Sequence, residues 1–406
     1  MLVPAEAGMR PTRAASRLAR ASLVLSAVFA GACTDDKPNP IEPVAMRCEA
    51  GAVVVDDKPI PVAPNGFAAV GNKMISVASC QPARFVGVSR PALSFSPDGG
   101  RMGIDTAMAA DFARIRAWRA NTVRIELAQY YWVPTSMHHD AQYAARVDRA
   151  VKGARAAGLN VILVLQASDR GDPNHPLEGE MHQPMADVAH SIPFWKDVAS
   201  RYKDDGGVLF ELYSEPYPIG GEGGFSNWDM WLNGGMHPSD AVYGRRPAFQ
   251  AAGMQQLYDA VRSTGAHNMV IASGTQWGYF LEGVKNNRIK GYNIAYATHP
   301  WEDSPTSRQP SSWENDWAYL AKTDPVMITE FGDYDCSDPY VKAVLDKADQ
   351  LGLSWTAWMW VAPNTAESKR QEGRDDPICN RSLLIMDWAG TPTRPGQIIK
   401  DRLASY

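Results

Sequence analysis

Two glutamates in this chain each follow an apolar, strand-like run and precede residues that turn the backbone. "FELYSEP" reaches Glu215 just before Pro216, and "PVMITEFGD" reaches Glu330 just before Phe331 and Gly332. Proline donates nothing to a strand ladder and holds the preceding residue extended, so Glu215 is read as the last position of its strand. Two carboxylates brought face to face across a cleft, with no cage of metal ligands, suit the cleavage of a glycosidic bond. One gives a proton to the leaving oxygen while the other attacks or activates water. For either glutamate alone a solvated loop acid is the plain alternative; the two together argue for chemistry.

Other residues add to the pair. Arg124 interrupts the apolar run "NTVRIEL" and shares its parity with Glu126. An inward arginine there can hydrogen-bond a carboxylate and keep it ionised, or form a structural ion pair with Glu126 or Glu211. His299 ends "NIAYATH" and is placed to contact substrate or Glu330. Sugar rings present C–H faces that stack on indoles. Trp132, Trp228, Trp231, Trp277, Trp301, Trp358 and Trp360 all fall at or just beyond expected strand ends, whereas Trp118, Trp195 and Trp388 are expected in the core. No CxxC or HxxxH spacing occurs and His and Asp do not cluster at strand ends, so neither a metal nor a cofactor is expected.

The elements that must position these residues follow a regular alternation. Strand-length apolar runs occur at 85–89, 121–127, 159–165, 207–213, 268–273, 293–298, 325–330 and 353–360. Helix-period stretches lie between most of them, at 105–118, 140–157, 191–203, 249–264, 311–322, 338–350 and 394–404. This predicts an α/β fold, a closed (β/α)8 TIM barrel over residues 83–406. An open doubly wound sheet is disfavoured because no Gly-rich phosphate loop follows the first strand. The long connections, 166–190 and 214–246, run from strand to helix, which puts unusual composition at the C-terminal face. Glu215 then belongs to the fourth strand and Glu330 to the seventh, across the mouth from one another.

Ahead of the barrel, residues 48–82 hold short alternating runs broken by "DDKP" and "APNG", a small β-hairpin cap. Residues 33–47 are polar and Pro-rich, a flexible tether. Residues 1–32 read as an export signal: Arg10, Arg13, Arg17 and Arg20 precede "ASLVLSAVFAGA", an apolar run too short to span a bilayer. Cleavage before Cys33, with "TDDKPNPIEP" after it, resembles a bacterial lipoprotein anchored through a lipid on Cys33. "AGA" suits ordinary secretion, and Ala30 stands where lipoproteins usually carry leucine.

The net charge is −5, and residues 1–32 carry a net +3, which leaves −8 on the rest. An acidic body argues against nucleic acid and anionic surfaces as partners, and a monomer is expected. With Cys33 set aside, four cysteines remain in an exported chain, and these allow three pairings. The most local pairing joins Cys48 to Cys80 and Cys336 to Cys379.

In order and spacing, "NTVRI", "NVILVL", "LFELYSEP", "YATHPW", "VMITEFG" and "WTAWMW" resemble glycoside hydrolase family 5, the cellulase-like clan of retaining (β/α)8 enzymes, over about residues 83–365. The resemblance implies Glu215 as acid/base and Glu330 as nucleophile, with Arg124, His299 and Trp358 around the sugar at the cleavage point. A β-glucan or β-mannan is the expected substrate, and Trp277, Trp301 and Trp360, placed at strand ends, are expected among the sugar contacts. Three positions depart from the family pattern. Ser214 stands for the Asn before the acid/base, Gln166 for the His after strand three, and Trp301 for the Tyr after the strand-six His. These departures keep open a second reading, a carbohydrate-binding surface lipoprotein on a degenerate barrel.

Overall fold

The computed structural model describes residues 46–406, apart from 101–107, 169–182, 221–223, 225, 240–247, 303–306, 334–337 and 364–381. Eight strands pair in parallel in chain order: β1 (Val86–Arg90), β2 (Thr122–Ala128), β3 (Asn160–Ala167), β4 (Val208–Glu211), β5 (Val270–Ser273), β6 (Ile294–Thr298), β7 (Val326–Ile328) and β8 (Ser354–Ala357). β8 pairs back onto β1, Trp355 opposite Val86, and closes the barrel. The (β/α)8 expectation is met.

Helices follow from the apolar periodicity. In Tyr143–Ala156, the buried Val147, Ala150, Val151 and Ala154 recur at i, i+3, i+4 and i+7 and face the sheet. Met108–Ala117, Ser191–Tyr202, Met254–Arg262, Asp338–Leu351 and Arg394–Ala404 cover other strands. Two expectations are corrected. The stretch 249–264 opens as a strand, Phe249–Ala251, paired with Gly235–His237, and its helix begins at Met254. There the Gly253 N–H finds the Gln256 side chain at 2.9 Å, which caps the helix later than the periodicity suggested. The stretch 311–322 divides into a four-residue helix, Trp313–Asp316, and a 3-10 turn, Ala318–Lys322.

Side-chain alternation splits the barrel interior into two zones. Ile162, Leu209, Met269, Ile271, Ala295, Ala297 and Met327 fill its lower part with Phe85. Above them, on the same parities, stand Arg124, Glu126, Glu211, Ser273, His299 and Thr329, all fully buried. Two three-stranded antiparallel sheets, Met46–Glu49, Ala52–Val55, Lys58–Pro61 and Phe67–Val70, Lys73–Ser76, Gln81–Ala83, form the expected cap. Met74 packs into the apolar zone, and Phe67 meets Phe85 edge-on at 4.7 Å. The cap therefore closes the N-terminal end, opposite the polar zone. Cys48 and Cys80 are bridged, with Cα atoms 5.6 Å apart. The signal, the tether, Cys33, Cys336 and Cys379 lie outside the described residues. No helix among the described residues is long and apolar enough to cross a membrane.

Candidate active site

The polar zone is organised on Arg124. Its Nε donates to Glu211 Oε2 at 2.7 Å and its Nη2 to Ser214 Oγ at 2.7 Å. Nη1 serves two carboxyls at once, Glu126 Oε1 and Glu330 Oε2, both at 3.1 Å. Arg124 is thus at once in an ion pair with Glu126 and Glu211 and hydrogen-bonded to the Glu330 carboxyl. Burial opposes its charge, but the three acids around it raise its pKa further.

Glu215 lies four residues past the paired end of β4, not at the end itself as the sequence suggested. The N–H groups of Leu212 and Ser214 still bond to Ile271 and Leu165 carbonyls, at 2.9 and 3.1 Å, and carry the chain straight up to it. His299 was expected on substrate or on Glu330; its Nδ1 lies 3.1 Å from Glu215 Oε1 instead, and its Nε2 lies 3.0 Å from Thr329 Oγ1. Burial works against a charge on His299, yet Glu330, Glu211 and Glu215 outweigh it and raise its pKa to about 9. The imidazole is then an imidazolium at neutral pH, with both ring N–H groups committed. Thr329 passes its own hydrogen to Glu211 Oε1 at 2.9 Å. One chain of hydrogen bonds thus runs from Glu215 through His299, Thr329, Glu211 and Arg124 to Glu330.

An oxygen of Glu215, an oxygen of Glu330 and a ring nitrogen of His299 lie within 4.8 Å of one another. Burial first, and the adjacent Glu215 charge second, push Glu330 up to about 7 against the pull of His299 and Arg124. Burial also opposes the charge on Glu211, but Arg124 and His299 prevail and hold it at about 2. Environment thus separates the carboxyls by role. The same trio of ligand atoms could also hold a divalent cation.

The tryptophans divide. Trp277, half-buried next to Glu215 with its backbone N–H on the Pro216 carbonyl at 3.1 Å, stacks on the buried Tyr217 with ring centres 4.8 Å apart and planes 15° from parallel. Its turn is left-handed at Gln276, Trp277 and Gly278; a Cβ on Gly278 would lie 2.9 Å from the His299 ring, so glycine is required. Trp301 and Trp358 meet at 6.4 Å beside the Glu330 turn, where a Cβ on Gly332 would lie 2.7 Å from the Trp301 ring. Trp360 is corrected: it is fully buried and packs on Trp118 at 4.7 Å, part of the core rather than a sugar contact. Trp132 and Trp231 are buried as well, their indole N–H groups spent on Asp197 and the Ser273 carbonyl. Trp228 is half-buried. Trp118 and Trp195 are core as expected, while Trp388 lies half-buried under Arg90, 4.7 Å from its ring. Gln166 is half-buried near the end of β3 on the inward parity of Ile162.

Sequence reasoning passed over Tyr217, Thr329, Ser273 and Gly278. Thr329 had a signal, since it shares inward parity with Met327. Ser273 donates to Glu211 Oε1 at 3.1 Å and likewise continues the parity of Ile271. Tyr217 and Gly278 sit in irregular backbone, where no periodicity reports direction.

Residues 78–364 match the family model of cellulase, glycosyl hydrolase family 5. Endoglucanase MaCel5A of Microbulbifer sp. (strain ALW1) is 24% identical over 247 residues, 59% of this chain and 41% of that protein. The cellulase CelDZ1 of Thermoanaerobacterium sp. is 21% identical over 313 residues, 73% of this chain and 71% of that protein. The crystal structure of native β-glucanase SdGluc5_26A from Saccharophagus degradans shares the fold at a TM-score of 0.61, with 21% identity over 84% of this chain and 93% of that one.

Proposed function

Because this chain belongs to glycosyl hydrolase family 5, we propose that it is a retaining β-glycosidase that cleaves β-linked glycans of the glucan or mannan kind. The observation that carries this reading is the approach of Glu215 and Glu330 oxygens to within 4.8 Å. That spacing suits a covalent intermediate; inversion needs about 6.5–9.5 Å between the carboxyls to admit a water. Glu330, with Oε2 held by Arg124, attacks the anomeric carbon through its other oxygen. Glu215 protonates the leaving oxygen, its Oε1 oriented by His299. In the second half Glu215 takes a proton from water, and that water releases the sugar with its configuration retained. Trp277, braced by the buried Tyr217 and bonded through its backbone N–H to the Pro216 carbonyl next to Glu215, lies on the acid's side and suits the leaving portion of the chain.

Reducing-sugar release across a panel of soluble β-glucans and β-mannans, on wild type and Glu330→Ala, tests the reading. NMR of the first-formed product reads the stereochemistry. A β-anomer released by wild type and nothing released by the variant is the expected result. Binding without release by wild type would favour the non-catalytic carbohydrate-binding reading; a first-formed α-anomer would mean inversion. Residues 1–32 and Cys33 support export with a lipid on Cys33. The mass of the mature N-terminal peptide, with and without Cys33→Ser, distinguishes anchoring from free secretion.

A further inference from the structure

Glu126 is an acid that the mechanism above does not use. It is fully buried, two residues from Arg124 on the same face of β2, and shares Arg124 Nη1 with Glu330. Its other oxygen, Oε2, lies 3.2 Å from Ser94 Oγ in the short helix Ala92–Phe95.

Ser94 has one hydroxyl hydrogen and two neighbours that want it. The Pro91 carbonyl lies 2.8 Å from Ser94 Oγ. A carbonyl only accepts, so the hydrogen goes to the nearer partner, Pro91. Ser94 then turns a lone pair on Glu126 Oε2, with both side chains buried. Against a carboxylate that contact is repulsive; against a carboxylic acid it is a hydrogen bond with Glu126 as donor.

Charge balance agrees. The groups facing Glu126 are Arg124 from its own strand, Glu211 from β4 and Glu330 from beyond β7, and the helix above adds the neutral Ser94. Four carboxyls (Glu126, Glu211, Glu215 and Glu330) stand around two cations, Arg124 and His299, so two protons are needed for neutrality. One belongs to the Glu215–Glu330 pair. Burial, with Glu330 and Glu211 adding to it, drives Glu126 well above the usual carboxylate range against Arg124, and it does so even were the Ser94 hydroxyl to donate and so favour the anion.

We propose that Glu126 carries the second proton in the resting enzyme, donates it to Ser94 Oγ, and acts as a neutral positioning residue that leaves the Arg124 charge to Glu211 and Glu330. The proposal rests on the reading of Glu330 as nucleophile only for its purpose, not for its test. An ionised Glu126 would compete for Nη1 and add a charge beside the nucleophile, which raises the pKa of Glu330 and takes it out of its reactive form. The neutral acid still accepts from Nη1 through Oε1, so the geometry is kept while the repulsion is removed.

The test is an NMR titration of carboxyl-labelled glutamate in the full chain, without substrate. At pH 8, above the upper step of the Glu215–Glu330 pair, one buried carboxyl should still resonate as the protonated acid, a signal absent from Glu126→Gln and retained in Glu330→Gln. Ser94→Ala removes the acceptor and should lower the midpoint of that signal by about one pH unit, the loss of one hydrogen bond to the neutral form. If Ser94 instead donated to an anion, the same change would raise the midpoint. A carboxylate signal for Glu126 at pH 8, or a midpoint unmoved or raised in Ser94→Ala, overturns the proposal. Should Glu126→Gln fail to fold, the signal that moves in Ser94→Ala identifies Glu126. Turnover plays no part in this readout, so a failed glycan assay and a failed titration remain separate results.

Discussion

Glu215→Gln should change the titration of its partner as well as remove the general acid. The two carboxyls come within 4.8 Å and titrate as a pair, with the upper step near the value of about 7 that burial and the Glu215 charge impose on Glu330. Between the two steps the pair holds one proton, and catalysis uses the microstate with that proton on Glu215. Two unit charges 4.8 Å apart at an effective dielectric of about 20 repel by about 3.5 kcal/mol, or about 2.5 pH units. The Glu215 side chain is 20% exposed and water screens it further, so removing its charge should lower the pKa of Glu330 by about one to two units. Wild-type kcat/KM on a glycan should therefore fall above about pH 7, where the shared proton is lost. Glu215→Gln, assayed on an aryl glycoside whose leaving group needs no proton, should show no fall there. Its single acid limb should lie at about pH 5–6, with about tenfold loss per unit below it. A variant that keeps a decline near pH 7, or an acid limb still at 7, would refute the coupling.

Three further outcomes follow from the same geometry. The Glu330 pKa is raised from 4.5 to about 7, so its neutral form favours the fold; that stabilisation is complete below about pH 4.5 and lost as pH rises through 7. Glu330→Gln should therefore melt a few degrees above wild type at pH 8, by about 3 kcal/mol at most, and match it at pH 4 by calorimetry. Replacing Cys48 and Cys80 by serine opens a loop with a sequence separation of 32 residues and should cost about 3–4 kcal/mol in denaturant unfolding. Because the cap closes the far end of the barrel, kcat below the melting range should not change. Trp277→Ala removes one face of the Tyr217 stack and should weaken glycan binding by about 1–2 kcal/mol, seen as a higher KM with kcat nearly kept on short aryl glycosides.

The fold was legible because its signals are periodic. Each barrel strand overlaps an apolar run, with β1, β2 and β3 running one or two residues past theirs, and inward parity places Arg124, Glu126, Glu211 and Thr329 in one zone. The errors sit where period gives out. Beyond the last ladder pair, "WMW" offers no alternation to say which indole faces the mouth, and Trp360 turned out to face Trp118. Trp132 and Trp231 fall just past strands, as platforms do, yet each is itself buried with its indole N–H bonded, to the exposed Asp197 carboxylate and to the buried Ser273 carbonyl. Those acceptors come from distant elements and leave no local trace. The bond from His299 to Glu215 was hidden for the same reason: substrate or Glu330 was expected, and the ring reaches Glu215 beside the turn at Gly278, whose backbone it abuts.

The departures from the family pattern gain meaning from the hydrogen-bond chain. Ser214 is fully buried and its oxygen receives Arg124 Nη2 at 2.7 Å, so the serine serves the arginine before it serves a sugar. A single oxygen on a short stem cannot also extend an amide toward the substituent at C2, which an asparagine there could do while still accepting from the arginine. Trp301 carries no hydroxyl to bond Glu330, which leaves Arg124 as the cation bonded to the proposed nucleophile among the described residues. Both changes place more of the catalytic burden on one guanidinium. Arg124 already answers to three carboxyls, and its hold on Glu330 is firmest when one of the other two gives up its charge. Glu211 cannot be that one, held near 2 by Arg124 and His299 despite its burial. Glu126 can, because the oxygen it turns away from the arginine meets a serine whose own hydrogen is already given to Pro91.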